Sequence, residues 1–323
     1  MANRNSTIAN TGAVNTVTQK NTLSYILVRD FKMNKYKYLI IIPVIVYLLV
    51  FAYKPMYGLI IAFKDYRPAL GFDGSKWAGF KHFKNFFTDV YFWRLLRNTV
   101  TISGLNIIFG FPAPIILALL LNEIRNSAFK RTIQTITYMP YFISMVVVCS
   151  LVRIYCQADG VFSQMLQAFG GKPQNLLMNT KYFYPIYVIS DIWKNIGWNS
   201  IIYLAALTNI DQEQYEAARI DGAGRFKQMV YITLPGLLPT ITVLFILRMG
   251  GLLNVGYEKI LLLYSPATYE VADVISTYVY RKGILNASYS YSTAVGLFNS
   301  IVNIFFLVIS NYISKKVTES SLF

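Results

Sequence analysis

The sequence predicts an all-α integral membrane protein with six transmembrane helices and a short cytoplasmic helix between the fourth and fifth of them. Three observations predict it. Hydrophobic residues fill 55% of the 323 positions and charged residues only 14%, against roughly 25% charge in soluble domains. The apolar residues fall in long runs: Tyr38 to Phe51 and Ile301 to Ile309 carry no charge and with their flanks approach the ~20 residues that cross a bilayer as helix. The segment between the fourth and fifth runs is polar instead, and reads as a compact helix followed by a Gly-Ala-Gly turn.

Residues 1–23 are rich in Asn, Thr, Ser and Ala and predict a flexible cytoplasmic tail, which leaves 24–323 as one six-span domain. Arg29, Lys32, Lys35 and Lys37 crowd the start of the first span and place the N-terminus in the cytoplasm. That span begins too late and is too poorly flanked for a cleaved signal peptide. Spans are expected at about 38–54, 98–121, 133–155, 183–206, 234–262 and 292–313, so the C-terminus with Lys315 and Lys316 returns to the cytoplasm. The loop Asn122 to Thr132 holds Arg125, Lys130 and Arg131, and the loop before span five holds Arg219, Arg225 and Lys227; both fall inside. The first outer loop, Tyr53 to Arg97, is basic as well, but long loops weigh little in the positive-inside rule. Its Phe80, Phe83, Phe86 and Phe87 are spaced for one side of a short amphipathic helix at the interface.

The net charge of +15 reads as lysines and arginines that flank spans and face anionic membrane lipids, not as a nucleic-acid surface. Cys149 and Cys156 lie seven residues apart in one expected span, about 10 Å along a helix and too far for a disulfide. With a single histidine, His82, they leave no metal cluster and no nucleophile pair.

Between spans four and five the chain reads Tyr215-Glu216-Ala217-Ala218-Arg219-Ile220-Asp221-Gly222-Ala223-Gly224-Arg225-Phe226, then Ile232-Thr233-Leu234-Pro235. Asp211 is placed to cap a helix whose early carboxylates, Glu213 and Glu216, complement its dipole. Ala217 and Ala218 allow a partner backbone to approach closely. Gly222 and Gly224 offer the permissive dihedrals that end the helix, and Pro235 is expected at the start of span five, where its missing N–H costs nothing.

The run Glu216-Ala217-Ala218, three residues, Gly222-Ala223, and then Ile232 to Pro235 resembles the EAA loop of ABC importer permeases. The similarity extends over nearly the whole chain, through Tyr57-Gly58…Ala62-Phe63-Lys64-Asp65-Tyr66, Asn98-Thr99, Leu121-Asn122-Glu123…Phe129-Lys130-Arg131…Gln134…Tyr138-Met139-Pro140 and Asp273 to Tyr280. These segments are similar to the oligosaccharide and polysaccharide branch of the carbohydrate-importer permeases. Met229 departs from that pattern, where relatives often carry an aromatic, but Met also fills an apolar notch.

The resemblance implies the type I importer permease fold in a bacterial plasma membrane. It also implies a second homologous permease, two ATPase subunits and an external sugar-binding protein, either a lipoprotein or a periplasmic protein. Glu216, Ala217, Ala218, Arg219, Asp221, Gly222, Ala223 and Gly224 would form the foot that docks on the ATPase, with Arg219 and Arg225 as salt-bridge partners at its rim. No Gly-x-x-x-x-Gly-Lys-Ser/Thr occurs in the chain, so no cofactor is expected on it; ATP and Mg belong to the ATPase partners.

Polar residues inside spans are costly and mark cavities or helix contacts. Trp193, Asn195 and Asn199 in span four and Asn254 and Tyr257 in span five combine aromatic faces with amides that suit sugar hydroxyls; helix–helix hydrogen bonding is the rival role for any single Asn. Glu258 beside Lys259 reads as an internal pair. Three alternatives compete with a di- or oligosaccharide permease: an importer permease for another small solute, a secondary transporter and a membrane enzyme. A secondary transporter would show interrupted helices at matching positions in two halves, which the sequence lacks. An enzyme would need clustered titratable groups, whereas Glu123, Asp191 and Glu258 are scattered.

Overall fold

Long apolar sequence runs become long helices, because a backbone away from water must satisfy its own hydrogen bonds. The computed structural model describes residues 30–31, 33–318 and 321–322; the expected tail at 1–23 lies outside them. Among the described residues, four helical runs are long and apolar enough to cross a membrane: Lys35–Phe63, Phe92–Glu123, Arg225–Met249 and Tyr289–Lys316. A fifth forms if the bent pair Ser127–Phe142 and Met145–Tyr155 counts as one span.

The chain divides into two units, Met1–Gly58 and Leu59–Phe323. In the first, helix α1 (Lys35–Leu48) continues through a π turn at Leu49–Tyr53 into Lys54–Met56. Its start is fastened by Asp30, which accepts hydrogen bonds from Asn34 Nδ2 at 2.7 Å and from the Tyr38 hydroxyl.

In the second unit, β1 (Lys64–Asp65) and β2 (Lys76–Trp77) pair antiparallel, Lys64 opposite Trp77. Lys81 Nζ reaches both Asp65 oxygens, at 3.0 and 2.9 Å, from the first turn of α2 (Lys81–Phe87). That helix does not lie free at an interface as its phenylalanine spacing predicts. Phe86 is only 1% exposed and packs against Phe92 and Phe298, while Phe80 and Phe87 stay exposed.

Helices α3 (Phe92–Leu105) and α4 (Pro112–Glu123) form one span joined by a π turn at Asn106–Gly110. It begins six residues before the expected 98. The third expected span, 133–155, is not straight. Helix α5 (Ser127–Tyr138) runs into a 3-10 turn at Met139–Phe142, then the chain bends by 100° into α6 (Met145–Tyr155). Pro140 cannot continue the ladder, and Ser144 caps the new helix by accepting from Val147 N at 3.4 Å. Lys194, only 8% exposed, holds the bend: its ammonium donates to the carbonyls of Pro140, Tyr141 and Ile143 at 3.4, 3.0 and 2.5 Å.

Lys194 projects from α7 (Thr180–Leu207), a 28-residue helix whose apolar run is interrupted by Asp191, Lys194, Asn195 and Asn199. Then come α8 (Gln212–Ile220), α9 (Leu234–Met249), α10 (Tyr257–Leu263), α11 (Ile275–Tyr280) and α12 (Tyr289–Thr318). Pro235 does not start the helix expected as the fifth span. The helix is continuous from Arg225, and a π turn at Met229–Thr233 just before the proline absorbs the lost hydrogen bond. Nor does that helix reach 262: it ends at Met249, and residues 250–256, with glycines at 250, 251 and 256, leave the helical path before α10.

The largest apolar cluster, including Ile102, Cys149, Phe183, Tyr187, Ile260 and Val274, joins α3, α6, α7 and α10. Both cysteines are free and buried, Cys156 belonging to the same cluster. Asn98, fully buried, ties α3 to the segment between α10 and α11 by donating to the carbonyls of Glu270 and Asp273, each at 2.9 Å.

Candidate translocation cavity and the helix before the fifth span

The departure of the chain from helix after Met249 opens space between α3, α6, α7, α9 and α10. A cavity of about 760 Å³ lies there. Asn195, Asn199, Asn254 and Tyr257 all line it, so four of the five expected pathway residues come together. Trp193 does not; it sits elsewhere on α7, 46% exposed, because a helix turns its neighbours to different faces.

The polar lining is organised by two networks. Asn254 Oδ1 accepts from Asn299 at 2.9 Å and Asn303 at 3.1 Å, while Asn303 Oδ1 accepts from Leu253 N at 2.9 Å. The unwound segment is thereby anchored to α12, and Asn254 serves as helix–helix glue and as cavity wall together. The second network corrects the sequence reading of Lys259: its side chain is 2% exposed, and its ammonium pairs with Asp191 Oδ1 at 3.3 Å rather than with Glu258. It also donates to the Tyr187 carbonyl at 2.8 Å and lies 4.4 Å from that ring's centre. Asn195 Nδ2 donates to the Asp191 carbonyl at 3.0 Å and is 3.3 Å from Oδ1.

Asp191 and Glu258, scattered in sequence, thus line one cavity, while Glu123 does not. Sequence reasoning left Asp191, Arg248, Tyr187 and Ser103 out of the wall; the signal available was an ionisable residue in an apolar run, which applied to Asp191 and Arg248 only. Among the described residues no group of three metal-ligating side chains occurs.

Helix α8 is built by its ends. Asp211 Oδ1 accepts from Glu213 N at 3.0 Å. At the other end Ala223 N bonds to Ala218 O at 2.8 Å and Gly222 N to Arg219 O at 3.1 Å, a Schellman closure that requires the left-handed φ of +75° at Gly222. Gly224 plays a different part from the one expected: at φ −67° and ψ 164° it is extended and starts the next helix. Tyr215 Oη and Thr233 Oγ1 share a hydrogen bond of 2.9 Å, which ties α8 to the π turn below α9.

Glu216, Ala217, Arg219, Asp221 and Gly222 are exposed, with Ala218 and Ala223 half-buried. Ile220 and Phe226 stand out at 87% and 74% exposure. Arg225, expected at the rim of the foot, turns to Glu123 at 3.9 Å.

A set of membrane-length helices around a polar cavity, with a capped polar helix set between two of them, defines a membrane transport subunit. The chain belongs to the family described as "Binding-protein-dependent transport system inner membrane component", whose profile matches residues 110–319. It is 49% identical to Protein LplB of Bacillus subtilis over 90% of this chain and 92% of that one. It is 45% identical to the polygalacturonan/rhamnogalacturonan transport system permease protein YteP of the same organism, over 90% of each. A solved bacterial alginate ABC transporter, in complex with an alginate pentasaccharide-bound periplasmic protein, contains a chain of the same fold. Its TM-score is 0.84 at 43% identity, covering 91% of this chain and 99% of that one. The chain is an ABC permease of type I fold and not itself an enzyme.

Proposed function

We propose that the chain carries an oligosaccharide, handed over by an external binding protein, through the cavity of Asn195, Asn199, Asn254 and Tyr257. The observation that carries this is the lining itself: three amides and a tyrosine converge on one space between largely apolar helices, the donors, acceptors and flat ring that sugar hydroxyls and C–H faces require. The cargo is acidic. YteP is named for polygalacturonan and rhamnogalacturonan, and the alginate transporter for an acidic polysaccharide.

The chain crosses the membrane six times, through α1, α3–α4, the bent α5–α6 pair, α7, α9 and α12, with both termini in the cytoplasm. Lysines and arginines in the loops 122–132 and 219–227 support that orientation. A second permease completes the pathway. Helix α8 docks on one of two ATPase subunits, which bind ATP and Mg, and the exposure of Ile220 and Phe226 beside Glu216 and Asp221 supports such a contact.

The test is uptake of trigalacturonate into proteoliposomes. Transport is expected only when the second permease, the ATPases, ATP and the loaded binding protein are all present. Uptake by this chain alone would overturn the importer reading.

A further inference from the structure

Two cationic side chains line the cavity, Lys259 and Arg248, and a third, Lys194, adjoins the lining residue Asn195 on α7; two of these three are satisfied. Lys194 is bound by three carbonyls at the α5–α6 bend, and Lys259 by Asp191 and the Tyr187 carbonyl. Arg248 is the remaining one. It stands in the last turn of α9, lines the cavity and is exposed to it. Its guanidinium has no hydrogen-bond or ion-pair partner among the described residues, where the charged pairs near the cavity are Lys259–Asp191 and, farther along, Arg94 and Arg281 with Asp273. Glu258 also lines the cavity but forms no ion pair with Arg248.

An ionised group at this depth without a partner is costly and is kept where a ligand supplies the partner. Arginine cannot shed its charge, and its planar fork of N–H donors matches a carboxylate at two points. Leu244 and Leu247 in the same wall lower the local dielectric and strengthen such a pair relative to bulk water.

We propose that Arg248 is a specificity-determining residue that binds the carboxylate of a uronate unit while Asn195, Asn199 and Glu258 meet the neighbouring hydroxyls. This rests on the cavity being the sugar pathway. Through Arg248 the permease itself discriminates acidic from neutral chains after the binding protein has released them. Lysine cannot replace it fully, because a point charge on a flexible stem lacks the bidentate geometry.

The experiment compares the complete reconstituted transporter with its Arg248→Gln and Arg248→Lys forms, using trigalacturonate and its carboxyl-reduced trisaccharide as probes. Two readings are taken: uptake in proteoliposomes and direct binding to the purified complex without the binding protein. The ratio of acid to neutral binding is expected to fall at least about tenfold in R248Q, as for loss of a charge-assisted pair, with R248K between. An unchanged ratio in R248Q overturns the assignment of Arg248 and leaves the importer reading standing. Equal loss of both probes in R248Q and R248K marks a structural role and overturns it too. Wild-type transporter that imports and binds the neutral probe but not the acid overturns the acidic cargo together with Arg248. Wild type that transports neither probe while hydrolysing ATP overturns the sugar pathway on which both rest.

Discussion

Lys259 Nζ and Asp191 Oδ1 meet at 3.3 Å, joining the short helix α10 to the middle of α7 across the cavity wall. The Lys259 side chain is 2% exposed and the Asp191 side chain 25%, so the two partners differ in their access to water. Removing one partner of a buried pair costs roughly 3–5 kcal/mol, and the partial exposure of Asp191 places Asp191→Asn at the lower end. The apparent melting temperature of the purified complex is expected to drop by several degrees in D191N. The double variant D191N/K259M should recover most of the loss, since Met fills the stem's volume without an uncompensated charge. No drop in D191N would show that the Tyr187 carbonyl alone satisfies Lys259.

Gly222 closes α8 at φ +75°, where any residue with a Cβ is strained by roughly 1–2 kcal/mol. A Cβ there would meet nothing within 4 Å, so the cost is conformational and falls on the geometry of the helix end. Gly222→Val is expected to cut ATP-driven uptake at least tenfold while the amount of chain in the membrane stays normal. Gly222→Asn, which tolerates this region better, should lose less. The two are compared by uptake per unit of membrane-inserted protein, and equal, normal uptake in both would remove α8 from the coupling path.

The frame of this protein was legible because apolar runs and caps are local. Residues 35–63, 92–123 and 289–316 announce themselves by composition, and the closure of α8 is written in Asp211 and Gly222. What stayed hidden depends on contacts between distant segments. The 100° bend after α5 is held by a lysine more than fifty residues later. The partner of Lys259 is Asp191 rather than its neighbour Glu258, because on a helix adjacent residues do not face each other. Trp193 left the cavity for the same reason. Arg248 faced it, and only the packing of several elements reveals that.

Asp65 offers a pH-dependent contact outside the spans. The hydrogen bond and charge of Lys81, helped by His82 and opposed by slight burial, hold its carboxyl below the ordinary value of 3.8. A lowered folded value means that the contribution is fully present above the unfolded value and fades as pH falls through the folded one. Protection of the β1–α2 segment from limited proteolysis is therefore expected to be constant from pH 7 to 5 and to weaken only below about 4. The effect is small, as for exposed pairs, and Asp65→Asn should remove the pH dependence. A pH dependence retained in D65N would show that another group carries it.

At Gly197, α7 packs directly against the backbone of α5. A Cβ at this position would lie 2.1 Å from the Thr137 carbonyl oxygen and 2.4 Å from its carbon, and both atoms are helix backbone that cannot rotate away. The same face carries the Lys194 ammonium that holds the bend and the stacking of Trp198 on Tyr141, 4.4 Å between ring centres. Separating the helices to admit a methyl group would strain all three. Gly197→Ala is expected to cost at least the roughly 1–3 kcal/mol of an overpacked core. It should lower the melting temperature of the complex and loosen protease protection at the α5–α6 bend. Gly296→Ala in α12 is the matched control: nothing lies within 4 Å of its added Cβ, and Ala favours helix over Gly by up to about 1 kcal/mol. G296A should therefore be neutral or slightly stabilising, and equal behaviour of the two variants would show that α5 and α7 are not held in this close approach.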